Sequence, residues 1–289
     1  MAERMIEANG VEICTEPFGD PGDPPILLVM GGGGSMLWWE EGFCRLLAER
    51  GRFVIRYDHR DTGRSVTYEP GQPGYTGADL IADAVDVLDA YGFKAAHIVG
   101  VSMGGALIQL LALDFPDRVL SLTLISTSFA VGRGRPLPPS TEEFGRFLES
   151  AEVDYSDTDS VIEFLVDYSR VLAGDRPFDE EALRDLARRE ADRANDFAAR
   201  RNHDLISEGK SYDKPLFSLG VPTLVIHGTA DPMFPLEHGK ALADEIPNGR
   251  LLALEGAGHG LDRADWEVVA DAIAEHTALN RTSGSPGGT

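Results

Sequence analysis

Six short, mostly apolar runs recur along the chain, at residues 26–30, 53–57, 96–99, 119–125, 223–226 and 251–254, with stretches of helical periodicity between them. A strand that is apolar on both faces must be covered on both. Such strands, alternating with helices, build an α/β fold: a mostly parallel twisted sheet with helices on its two sides. Helices are expected at 36–50, 78–91, 103–115, 236–246 and 263–278. In the second of these, Leu80, Ile81, Ala84, Val85, Leu88 and Tyr91 fall on one stripe. Ahead of the first run, apolar-polar segments at 5–8 and 11–14 flank Asn9-Gly10, a pair favoured in tight hairpin turns.

The alternation breaks between 130 and 214. Residues 132–139 are rich in Gly, Arg and Pro, a linker composition, and helical patterns follow near 141–150, 159–173 and 179–208. The expected organisation is a core of residues 1–129 and 215–278, an inserted helical cap at 130–214, and a loose tail rich in Gly, Ser and Thr at 279–289.

Charge narrows the partners. The net charge of −22 repels nucleic acid and anionic membrane surfaces. No stretch approaches the roughly 18–20 apolar residues that span a bilayer, and the N-terminus lacks the apolar run of a signal peptide. The two cysteines, Cys14 and Cys44, have no metal-ligand spacing and are expected as small buried residues of a cytoplasmic protein, monomer or homodimer. With no Cys/His cluster and no His-Glu-x-x-His pattern, neither metal nor cofactor is expected.

The chemistry concentrates in loops that follow strands. Gly100-Val101-Ser102-Met103-Gly104-Gly105 places a serine between a strand and a helix in a Gly-x-Ser-x-Gly setting. A chain that turns so sharply has no room for flanking side chains, and the turn lifts the hydroxyl to a helix N-terminus, where developing negative charge is favoured. Ser102 is therefore the candidate nucleophile. A serine needs a base. Of the seven histidines, His259 lies among glycines directly after the last strand, at the sheet edge where ligands gather. Asp231, in the loop after the strand at 223–226, is the candidate to orient it; Asp262 is a weaker rival because it is so near His259 in the chain. The amide of Met103 and that of Gly32, in the Gly31–Gly34 loop, are the expected oxyanion donors, with Gly33 close behind. That loop lacks the spacing of a nucleotide-binding loop. Gly33, Leu37 and Trp38 are candidate substrate contacts, although a helix starting there would bury most of the apolar residues at 36–39.

Together with Asp58-His59-Arg60-Asp61-Thr62-Gly63-Arg64-Ser65 and His227-Gly228-Thr229-Ala230-Asp231-Pro232, these motifs make residues 5–278 resemble the α/β-hydrolase superfamily. Val29-Met30-Gly31-Gly32 and the 58–65 segment look most like the actinobacterial esterases of the aclacinomycin methylesterase type, which cleave a methyl ester on an aromatic polyketide. The resemblance implies triad roles for Ser102, Asp231 and His259, oxyanion roles for Gly32 and Met103, a lid at 130–214 and a small-molecule ester as substrate. It also exposes a departure: Met30 stands where many members carry a histidine, so the glycine loop is expected to be anchored differently. Other chemistries run on the same constellation, among them cofactor-free haloperoxidase or perhydrolase, C–C hydrolase and prolyl aminopeptidase; a catalytically silent binding protein is the remaining reading.

Overall fold

The computed structural model describes residues 2–131, 136–210, 212 and 214–278, so the tail expected at 279–289 and part of the linker expected at 132–139 lie outside the described residues. Eight strands form one sheet: β1 (Arg4–Ala8), β2 (Val11–Phe18), β3 (Pro25–Val29), β4 (Phe53–Tyr57), β5 (Ala96–Val101), β6 (Val119–Ile125), β7 (Thr223–Gly228) and β8 (Gly249–Leu254). Their spatial order is β1-β2-β4-β3-β5-β6-β7-β8. The hairpin β1–β2 is antiparallel and β2 meets β4 antiparallel; every later pairing is parallel. Asn9 and Gly10 both take positive φ, 48° and 74°, as the tight hairpin turn demands.

Helices α1 (Glu41–Glu49), α2 (Gly77–Ala90), α3 (Met103–Asp114), α7 (Glu237–Glu245) and α8 (Trp266–Ala278) cover the two faces. Two apolar clusters result. One, around Leu27, Ile55, Ile98 and Leu122, lies under α2 and α3, and the other, around Ile26, Leu28, Val54 and Ile226, lies under α1 and α8. Alternate residues of β3 thus feed opposite cores, which is why its sequence is apolar without interruption. Cys14 and Cys44 are buried and unpaired, and burial pushes both thiols up to about 12.

Two expected helices are interrupted, each for a visible reason. Residues 36–50 do not form one helix. Ser35 caps a single 3-10 turn, Met36–Trp38, and Trp39 then leaves the helical region (φ −83°, ψ 77°). The Trp39 carbonyl accepts from the buried Arg56 guanidinium at 2.6 Å, a bond that a continuing helix would forbid. The 179–208 stretch divides in the same way. It becomes α6 (Glu180–Arg193) and a 3-10 segment, Phe197–Asp204. Between them, the Asn195 amide donates to Gly63 O at 2.8 Å, which ties the break to the loop after β4.

Between β6 and β7 the chain leaves the sheet and builds α4 (Glu142–Ser150), α5 (Thr158–Leu172), α6 and the 3-10 segment. Val161, Ile162 and Leu165 of α5 pack on Ala187 of α6 in a small separate core. Charge joins this unit to the sheet: Arg193, at the end of α6, pairs with Asp58 and Glu3, both at 2.7 Å. No helix among the described residues is long and apolar enough to cross a membrane.

Asp58 is fully buried, and desolvation raises its pKa even though the Arg193 cation pulls the other way. An acid whose folded pKa lies above its unfolded one destabilises the fold progressively as pH rises through that folded value. Replacing Arg193 by Met widens the gap and strands the carboxylate. R193M should cost about 3–5 kcal/mol at neutral pH. The loss should shrink as the pH falls toward the ordinary carboxylate range and Asp58 takes a proton. Urea unfolding of both proteins across that window measures it; a loss independent of pH would refute the account.

Candidate active site

Ser102 sits between β5 and α3 with φ 53° and ψ −119°, a conformation few residues other than glycine adopt. Three bonds and two absences hold it there. Its amide donates to Ile125 O at 3.0 Å, its carbonyl accepts from the Thr127 hydroxyl at 2.8 Å, and Ala106 N closes the first turn of α3 on the same carbonyl. A Cβ on Gly100 would lie 2.5 Å from Gly104 O, and one on Gly104 would lie 2.2 Å from Val29 O. Both positions therefore require glycine, and the missing side chains let α3 press against the end of β3.

Beyond β3, the Gly31–Gly34 loop curls over this turn. Gly31 abuts the Ser102 Cβ, and Gly32 abuts the Met103 side chain. Met103 is the first residue of α3, so its amide has no partner inside the helix. Side chains from elsewhere fix the loop. His59 Nε2 donates to Met30 O (3.1 Å), and the amides of Gly33, Ser35 and Met36 donate to His203 Nδ1 (2.8 Å), Glu190 Oε1 (2.7 Å) and Asp58 Oδ1 (2.9 Å). Trp38 Nε1 donates to the second Glu190 oxygen at 2.7 Å. This is how the loop is anchored with Met30 before its first glycine. Burial lowers the His59 pKa to about 4 and that of His203 to about 3, so both imidazoles stay neutral, as an acceptor Nδ1 on His203 requires.

His259 and Asp231 meet from two different loops. His259 Nδ1 donates to Asp231 Oδ2 at 2.9 Å. The other Asp231 oxygen accepts the amides of Met233 (2.9 Å) and Phe234 (2.8 Å). Burial alone would raise the Asp231 pKa, but the facing His259 imidazole and these amides bring it below the usual carboxylate range. Phe234 packs edge-on against the His259 ring at 5.6 Å. The loop of His259 is gripped by the end of α5: its amide donates to Leu172 O at 2.8 Å, and a Cβ on Gly258 would lie 1.9 Å from that carbonyl. Gly260 N donates to Ser126 Oγ at 3.1 Å.

His259 Nε2 is buried and has no hydrogen-bond partner among the described residues, the Ser102 hydroxyl included. The other six histidines all hold structural bonds. His97 meets Ser121 Oγ, His227 donates to Phe234 O, His238 bridges Ser128 and Pro138 O, and His276 donates to Leu122 O, in addition to the two already placed. Asp262 is occupied in capping a turn through Ala264 N.

Ser102 and His259 line one cavity of about 260 Å³. Its wall includes Gly31, Gly32, Gly34, Trp38 and Trp39 from the sheet side, and Leu165, Tyr168, Leu172, Phe178 and Arg200 from the helical excursion. Of the expected substrate contacts, Trp38 is on this wall; Gly33 and Leu37 are not. The Gly33 amide is turned to His203, and Leu37 is buried and borders a different, smaller cleft with Arg45 and Arg189. His203, Glu190 and Arg200 carry no signal in the sequence, because nothing in a helical stretch shows which polar residues will reach a loop 155 to 170 positions earlier.

Comparisons with known proteins agree with this architecture. The alpha/beta hydrolase fold family matches residues 24–261. Rhodomycin D methylesterase from a Streptomyces species is 37% identical, the match covering 96% of this chain and 98% of that one, and the enzyme of the same name from Streptomyces peucetius is 36% identical over the same shares. Among solved structures, an esterase from a Rhodococcus species superposes with a TM-score of 0.76 at 23% identity, covering 98% of this chain and all of that one. A meta-cleavage product hydrolase from Pseudomonas fluorescens gives a TM-score of 0.73 at 21% identity, covering 96% and 97%. The glycine-flanked serine turn, the strand order and the extent of these matches together make the chain a member of the alpha/beta hydrolase family.

Proposed function

We propose that the chain is a serine hydrolase that cleaves a carboxylic ester, with Ser102 as nucleophile, His259 as base and Asp231 as its orienting acid. It is an ester-cleaving hydrolase, as the full-length relationship to two methylesterases supports. The observation that carries the residue roles is the unpartnered His259 Nε2. With Nδ1–H committed to Asp231, Nε2 keeps its lone pair; His59 Nδ1 and His227 Nδ1 are likewise buried without a partner among the described residues, but only His259 shares a cavity with Ser102.

In this mechanism the Ser102 hydroxyl rotates toward His259 Nε2, gives up its proton to it and attacks the ester carbonyl carbon. The carbonyl oxygen becomes an oxyanion, which the amides of Gly32 and Met103 receive in this reading. The imidazolium returns its proton to the departing alkoxide, and the alcohol leaves. Water then loses a proton to His259, attacks the acyl carbon, and releases the acid and the free serine. Asp231, kept ionised by its partners, holds the productive tautomer throughout and stabilises the imidazolium.

Within that class we favour a small methyl ester with a bulky, largely apolar acyl group. Trp38, Leu165, Leu172 and Phe178 give the cavity an apolar wall, and two relatives are methylesterases of rhodomycin D. We take residues 130–214 as the cap that closes over this group. The two buried, unpaired cysteines fit work in the reducing cytoplasm.

Ser102→Ala should lower kcat by about 10³-fold or more on a p-nitrophenyl ester and abolish labelling by a fluorophosphonate. Equal labelling of the variant and the wild type would refute Ser102 as nucleophile. Asp231→Asn should cost about 10³–10⁴-fold in kcat. A loss of less than about tenfold would remove Asp231 from the proposed role. A panel of methyl esters, prolyl amides and peracid formation separates ester hydrolysis from the other chemistries of this constellation.

A further inference from the structure

Arg200 is the one lysine or arginine among the described residues that line the cavity, and the mechanism does not use it. It stands on the 3-10 segment Phe197–Asp204, with its guanidinium over the Phe197 ring, 5.1 Å from the centroid. Its side chain is only 12% exposed. Nη1 pairs with Glu190 Oε2 at 3.2 Å, while Nε and Nη2 make no hydrogen bond among the described residues. Those two atoms lie 3.4 and 3.5 Å from where a Gly33 Cβ would stand, so the missing side chain leaves room for the guanidinium against the glycine loop. The Glu190 carboxylate is already filled by the Ser35 amide and by Trp38 Nε1. Arg200 is thus a largely buried cation on the cavity wall, compensated by Glu190 and with N–H groups left over to donate to an acceptor that enters the cavity.

The nature of the acceptor follows from the balance of charge. Glu190 already offsets the cation, Asp262 stands on the same wall, and the chain as a whole carries −22. A second carboxylate on the substrate would meet little net attraction, whereas a neutral oxygen receives a charge-assisted bond at no Coulomb penalty. Tyr168, on the same wall and electrostatically coupled to Arg200, adds a neutral hydroxyl: burial pushes its pKa up to about 12.

We propose that Arg200 is the specificity-determining residue of this cavity, donating from its free edge to a neutral keto or phenolic oxygen on the acyl part of the ester, so that oxygen-bearing acyl groups are selected over hydrocarbon ones of the same shape. The proposal rests on the ester-hydrolase reading of the same cavity, and the test below keeps the two separable.

Two probes suffice: the methyl ester of a hydroxyanthraquinone carboxylic acid and the methyl ester of the matching anthracene carboxylic acid. Wild type should favour the oxygenated ester by about 10–100-fold in kcat/KM, the range of one hydrogen bond to a charged group. In R200M that preference should collapse to within about twofold, through KM rather than kcat, as expected for binding made equally before and during reaction. Because R200M leaves Glu190 without its cation, R200K provides the control. It retains a charge for Glu190 but lacks the planar fork, and should also lose most of the preference. The same ratio read as Kd on Ser102→Ala protein needs no turnover. If Ser102→Ala hydrolyses the esters like wild type, the nucleophile assignment fails while the Kd ratio still judges Arg200. A preference that survives in both R200K and R200M, no preference in wild type, or no binding of either probe would overturn the proposal.

Discussion

Ser102 holds a backbone conformation that costs a residue other than glycine on the order of 1–3 kcal/mol, and it persists only because its surroundings leave the chain no alternative. β5 delivers it, Ile125 and Thr127 of the β6 end take its amide and carbonyl, and α3 starts immediately after it. The close approach of α3 to the β3 carbonyls is possible only at Gly104. That contact also fixes where β3 ends and therefore where the glycine loop begins. The serine, the first amide of α3 and the loop carrying Gly32 are consequently one mechanical unit, and a change that pushed α3 outward would displace all three.

A second unit is assembled from the helical excursion. Its contacts with the core include specific polar ones. Glu190, His203 and Asp58 between them satisfy the amides of Gly33, Ser35 and Met36 in and just after the glycine loop, while the end of α5 holds the backbone of His259. Each buried carboxylate in this set is repaid by hydrogen bonds and a cation, the condition under which buried charge is tolerable. Removing one partner leaves the others exposed to the full desolvation cost, which is why the excursion and the two active loops should gain and lose order together.

Much of this was readable beforehand. Uninterrupted apolar runs announced strands covered on both faces, and the glycines at 100 and 104 announced the turn, because both signals are local. Asp231 and His259 were also legible, since each follows its strand within a few residues and topology alone carries them to the same rim. The long-range anchors were not. Glu190 and Arg193 occupy an ordinary charged helix, and only the folded chain reveals that Glu190 is turned inward. The two broken helices share that origin. Local periodicity favoured continuing at Trp39 and Ala194, and bonds from Arg56 and to Gly63 overrode it. Leu37 is buried and Trp38 lines the cavity, a difference between neighbours that local periodicity does not signal.

The grip of α5 and α6 on both loops bears on how such enzymes can be rebuilt. Transplanting the helical segment of a relative onto this sheet would exchange one wall of the cavity, but it would also exchange the supports of the glycine loop and of the His259 loop. A productive chimera must therefore carry an inward acid in the place of Glu190, a neutral imidazole in the place of His203 and a carbonyl in the place of Leu172 O. The cavity wall and the supports of both loops are inherited here as a single module, and a graft chosen for the first alone forfeits the second.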